Sequence, residues 1–140
     1  MKRMIVAALL SCLLAVPAHA EYSIEVDIAS QTIGLYEDGD CICMSECVTG
    51  TQGEHDTPTG EYWITYKSRG ETLSGADYNV VVSYWMAFNG GIGIHDADWR
   101  SDFGGDIYSY NGSHGCVNVP SWMAYEIYSR CDVGTTVVVR

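Results

Sequence analysis

In Tyr22-Ser-Ile-Glu-Val-Asp-Ile28 the apolar Ile24, Val26 and Ile28 alternate with polar neighbours, and a period of two is what a strand with one buried face requires. Residues 32–36 read as a second strand. Asp38-Gly39 supplies a hairpin turn between strands, because glycine takes a positive φ without steric cost. A return strand is predicted over residues 41–50, and residues 51–60, rich in Gly, Thr, Asp and Pro, as loop. Residues 61–67 are aromatic-rich and strand-like, residues 70–75 break the pattern, and residues 78–88 predict a buried strand. Asn89-Gly90-Gly91 is a turn before a short strand, Ile92-Gly-Ile-His95. Residues 96–112 form a loop rich in Gly, Asp and Tyr, of a length that usually marks a functional or disordered segment. Helical spacing is predicted once, over Ser121–Arg130 beside Pro120, with Trp122, Tyr125, Ile127 and Tyr128 on its buried face. A β-branched strand over residues 135–139 closes the chain. The expected fold is one mainly β domain with a single helix.

The N-terminus belongs to a different category. Lys2 and Arg3 precede an apolar run over residues 4–16, and Pro17-Ala18-His19-Ala20 ends in the small-x-small pattern of a cleaved export signal. The run is shorter than the ~20 residues of a bilayer span. Residues 1–20 are therefore predicted as a signal peptide that includes Cys12, and residues 21–140 as the exported domain, in the periplasm or cell wall, with no membrane span. Losing Lys2 and Arg3 takes the formal charge from −11 to −13, because every acidic residue follows Ala20. So acidic a chain lacks the clustered cations that nucleic acid or an anionic membrane surface would demand.

Five cysteines remain after Ala20: Cys41, Cys43, Cys47, Cys116 and Cys131. In an oxidising compartment an odd count leaves one thiol unpaired, and disulfides are expected among Cys41, Cys43, Cys47 and Cys131, with the pairing open. The spacing Cys41-x-Cys43-x3-Cys47 does not resemble a zinc knuckle, and no metal or cofactor is expected. The chemistry concentrates in Ser113-His114-Gly115-Cys116-Val117-Asn118. A cysteine nucleophile reacts as thiolate and needs a base in reach. His95, at the end of a strand and separated from Ser113 by seventeen residues, is a candidate for that base. Gly115 lets substrate approach the sulfur, and the N–H groups from His114 to Cys116 can face an oxyanion.

His95, the seventeen-residue gap and Ser113-His114-Gly115-Cys116-Val117-Asn118 together resemble the signature of YkuD-type L,D-transpeptidase catalytic domains. Thr57-Pro58-Thr59-Gly60, Val48-Thr49-Gly50, the opening hairpin over residues 24–36 and the Tyr84-Trp85-Met86-x-Phe88 run before His95 fit the same pattern, so the resemblance covers nearly all of residues 21–140. It implies the family's β-sandwich or barrel and an enzyme acting on peptidoglycan stem peptides. Cys116 matches the nucleophile, His95 the general base with its second ring nitrogen oriented by the Asp96 carbonyl, and His114 and Gly115 the positions that shape the oxyanion hole with the Cys116 amide. Asp96 departs from the small residue usual there; its carboxylate would either raise the pKa of His95 or point to solvent. Ser113, Asn118, Trp99 and Tyr84 are the candidate substrate contacts, with Asn118 having a structural role more readily than a catalytic one.

The reaction so implied is attack on the L,D-bond of a stem tetrapeptide with release of terminal D-alanine, then transfer to the side-chain amine of a neighbouring stem, a 3→3 cross-link. The competing expectations are an L,D-carboxypeptidase, with water as acceptor, and a catalytically silent wall-binding module. His55 reads as a surface residue. Trp99, Tyr108 and Tyr110 lie in the loop between the catalytic residues, either as lid or substrate contacts or as loop packing, and Asp98, Asp102 and Asp106 read as a solvated face.

Overall fold

A computed structural model describes residues 19–140; the predicted signal segment lies outside the described residues apart from His19 and Ala20. The alternating N-terminal residues form β1 (Tyr22–Asp27), which pairs antiparallel with β2 (Thr32–Glu37), and β2 with β3 (Asp40–Glu46). The chain leaves that sheet after Glu46, earlier than the sequence pattern implied. The segment read as one strand over residues 61–67 is two: β4 (Gly60–Trp63) stays in the first sheet and β5 (Tyr66–Ser74) begins the second. β5 runs straight through Gly70, at φ +65°, instead of breaking there. It pairs with β6 (Asn79–Asn89), followed by β7 (Ile92–Asp96), a short helix α1 (Tyr108–Asn111), β8 (Val117–Val119), α2 (Ser121–Arg130) and β9 (Thr136–Val139).

Two sheets result, ordered β3-β2-β1-β9-β4 and β5-β6-β7-β8. Ile24, Val26, Ile33, Leu35, Val137 and Val139 of the first join Met86, Phe88, Ile94, Val117 and Val119 of the second in one core, closed by Met123, Ala124 and Ile127 of α2. Removing each of the Val, Leu, Ile, Met and Phe side chains from water contributes about 1.5–3 kcal/mol. The buried face of α2 is thus only in part the one expected: Ile127 is buried and Tyr128 packs against the core, but Trp122 and Tyr125 are exposed. Lys67 of β5 holds the end of α2, its Nζ donating to the carbonyls of Tyr128 (2.6 Å) and Cys131 (2.8 Å). The second half of β6 is buried, whereas the first half pairs with β5 alone and, apart from the buried Val82, is exposed or half-buried, Val81 among the exposed.

The expected disulfides are absent: Cys41, Cys43, Cys47, Cys116 and Cys131 are all free thiols. A β-bulge explains the nearest pair. The β2–β3 register slips between Leu35 and Tyr36, so Cys43 stands opposite Leu35 and Cys41 opposite Tyr36. Opposed residues share a face and successive residues alternate, so the two thiols lie on opposite faces of the sheet. Cys43 meets Met123 Sδ at 3.5 Å. Cys47 and Cys131 are wholly buried among apolar neighbours, where a thiol packs as a small hydrophobe.

Candidate active site

Sheet pairing closes the sequence gap. β7 and β8 run parallel with His95 beside Asn118, so the end of one strand and the turn leading into the other share one sheet end. The segment after β3 crosses this turn, Val48 bridging Asn118 and Gly50 bridging Ser113. Gly50 is needed there, since a Cβ would fall 1.6 Å from the His55 carbonyl oxygen. Thr57 Oγ1 accepts from Gly50 N–H (3.0 Å) and donates to the Gly115 carbonyl (2.7 Å). Ser113 Oγ donates to the Cys116 carbonyl and accepts the Gly115 N–H at 3.1 Å. Gly115 sits at φ +126°, a conformation that favours glycine. This knot occupies the Gly115 N–H, so it is the amides of His114 and Cys116 that have no hydrogen-bond partner among the described residues.

The protonation of His95 follows from its partners. Nδ1 lies 2.7 Å from the Asp96 carbonyl oxygen, which can only accept, so Nδ1 carries the proton and Nε2 the lone pair. Arg100 Nε can only donate, so the Asn118 atom 2.9 Å from it is Oδ1, and Asn118 Nδ2 therefore donates to His95 Nε2 at 3.2 Å. Burial pulls the His95 pKa below its ordinary value; the Asp96 carbonyl bond and carboxylate oppose this and lose. The Asp96 carboxylate does not point to solvent, and its upward pull on the imidazole is outweighed by burial: it is buried and accepts the backbone N–H groups of Ser83 (3.0 Å) and Tyr84 (2.8 Å), clamping β6 to β7. Burial pushes the Cys116 thiol up, and a Gly93 N–H draws it partly back. Its sulfur contacts the Gly91 carbonyl at 3.7 Å. Cys116, His95, Trp99, Arg100, His114 and Tyr78 line a common cleft of about 260 Å³. A thiol, a neutral imidazole with its lone pair on Nε2, and two unpartnered amides are the parts that acyl transfer through sulfur requires.

The family model of YkuD, the L,D-transpeptidase catalytic domain, matches residues 21–139. The chain belongs to this family. Its fold is similar to that of the L,D-transpeptidase of Enterococcus faecium in a cysteine-to-serine mutant, at 35% identity and TM-score 0.81, over 86% of this chain and 50% of that one. The catalytic domain of the E. faecium enzyme, solved by NMR, is matched at 35% identity and TM-score 0.78, over 86% of this chain and 97% of that one. An L,D-transpeptidase from Mycobacterium tuberculosis, at 23% identity and TM-score 0.77 over 86% and 58%, shares the fold. The chain thus spans about half the length of the E. faecium protein in the first comparison. Among curated proteins no relative matches.

Within this L,D-transpeptidase domain the predicted residues fall into three groups. Cys116, His95, His114, Ser113, Asn118 and Trp99 line the cleft. Gly115 and Asp96 support it from the turn and from β7. Tyr84 lies elsewhere, its ring packed on Tyr125 and Tyr128 of α2. His114 is exposed, with its ring 4.8 Å from that of His55 and 4.9 Å from that of Tyr78. Sequence reasoning passed over Arg100, which anchors Asn118 and the Asn111 carbonyl (2.7 Å). A signal was present, since it is the lone cation in a loop holding Asp96, Asp98, Asp102 and Asp106.

Proposed function

We propose that this chain is an exported peptidoglycan L,D-transpeptidase with Cys116 as nucleophile and His95 as general base. The observation that carries the reading is the convergence of the Cys116 thiol, the His95 Nε2 lone pair and the two unpartnered amides on one cleft. In the resting arrangement Asn118 caps that lone pair, so the amide yields as the sulfur swings from Gly91 toward the ring. His95 Nε2 takes the thiol proton, and sulfur bonds to the carbonyl carbon of the third stem residue. The His114 and Cys116 amides hold the oxyanion. As it collapses, the C–N bond to D-alanine breaks and His95 returns the proton to the departing amine. The side-chain amine of a neighbouring stem then attacks the thioester, His95 takes its proton, and the thiol is released, leaving a 3→3 cross-link in the periplasm or cell wall. A catalytic domain at 35% identity has been solved acylated by ertapenem, which supports an acyl-enzyme reading here.

Incubation with disaccharide tetrapeptide, read by mass spectrometry, tests the reading. Cross-linked dimers lacking one D-alanine are expected; tripeptides alone indicate L,D-carboxypeptidase action, and unchanged substrate indicates the silent wall-binding module.

A further inference from the structure

Arg100 is the one Lys or Arg among the described residues lining the cleft, and no Asp or Glu lines it. That is unusual ground in a chain of net charge −11. The guanidinium is half-buried, and no carboxylate among the described residues pairs with it. Its Nε is held by Asn118 and one Nη by the Asn111 carbonyl, which fixes the plane of the fork. The second Nη makes no hydrogen bond among the described residues. An oriented, partly desolvated guanidinium with free N–H groups is a receptor for a carboxylate, because such bonds are charge-assisted and strengthen where water is scarce.

We propose that Arg100 is the specificity residue of the cleft, its free N–H groups receiving the terminal carboxylate of the donor peptide. This deepens the transpeptidase reading and rests on it for the identity of the peptide, since the bond to be cut there is the last one and the leaving residue carries the chain's free carboxylate. The same fork orients Asn118, and Asn118 faces the His95 lone pair, so one side chain serves both recognition of the donor and placement of the base. A peptide whose terminal carboxylate is blocked loses its partner and leaves the cation unpaired.

Binding to protein carrying Cys116→Ala tests this without turnover. The tetrapeptide is expected to bind at least about tenfold more tightly than its C-terminal amide, as loss of a charge-assisted pair entails. Adding Arg100→Gln is expected to bring the two affinities within about twofold of each other, since amide and hydroxyl donors on other residues do not distinguish acid from amide so strongly. Arg100→Lys keeps a point charge without the fork and is expected to retain only part of the preference. Equal affinity for acid and amide in the parent, or an undiminished preference in either Arg100 variant, overturns the inference; the Lys variant decides alone if the Gln variant does not fold. Failure of the wild-type chain to process tetrapeptide counts instead against the transpeptidase reading, and binding distinguishes the two failures.

Discussion

Cys116 and Cys131 begin from the same chemistry and end in different situations. Burial pushes Cys131 up to about 12 even with the Lys67 ammonium nearby. Cys47, with no cation to help, is likewise pushed up to about 12. Cys116 is also raised by burial, so a low resting acidity is not what sets it apart. The difference is that Cys131 is enclosed by core, whereas Cys116 borders the cleft that His95 also lines. A thiol that keeps its proton at neutral pH depends on a neighbouring acceptor at the moment of attack, and only Cys116 shares its surroundings with an uncharged imidazole.

The largest effect expected from this contrast is the complete loss of carbapenem acylation in Cys116→Ala, read as the absence of a one-adduct mass shift. In the native wild type, alkylation should reach Cys116 and the exposed Cys41 and spare Cys47 and Cys131 until unfolding; rapid labelling of Cys131 would break the comparison. Next, His95→Gln should slow acylation by about 10²–10⁴-fold, the usual contribution of a positioned general base. A loss under tenfold in stopped-flow measurements would remove His95 from the proton path. On the structural side, Lys67→Met should lower stability to denaturant by about 1.5–3 kcal/mol, as expected for hydrogen bonds to a charged donor, without altering the site of acylation. Smallest is the pH response. Because the folded pKa of His95 is depressed, its contribution to stability is present above the unfolded value of about 6.5 and is lost as pH falls from there toward the folded value. The denaturation midpoint should therefore drop between pH 7.5 and 5 more in wild type than in His95→Gln, and the acid limb of acylation should lie below pH 6.5. An acid limb above that pH would mean a charged resting imidazole.

The parts of this molecule that were legible in its sequence are those set by local pattern. The β1–β2 hairpin follows from alternation and Asp38-Gly39, α2 begins and ends where Pro120 and its spacing imply, and the two halves of the Cys116 motif announce themselves. What was hidden depends on partners far along the chain. Nothing local marks the change of sheets between Trp63 and Tyr66, because the aromatic strand pattern continues across it. Large aromatics turned the expected face of α2 toward Trp122 and Tyr125, whereas the core accepts the smaller Met123 and Ala124 beside Ile127. The slip at Leu35 and Tyr36 that separates Cys41 from Cys43 is a property of pairing. Likewise the orientation of the Asn118 amide, and so the donor that meets His95 Nε2, depends on Arg100 from the loop before it.

The placement of β9 has a consequence for assembly. It lies between β1, with which it runs parallel, and β4. A chain delivered N-terminus first, from a ribosome or through a translocation channel, makes the β1–β2–β3 meander early but cannot connect it to β4 until Thr136–Val139 slides into the gap. Half of the sandwich is thus left unzipped down its middle until the last strand of the fold arrives, which keeps the growing polypeptide pliable and ties the closing of the core to contacts between its most distant segments.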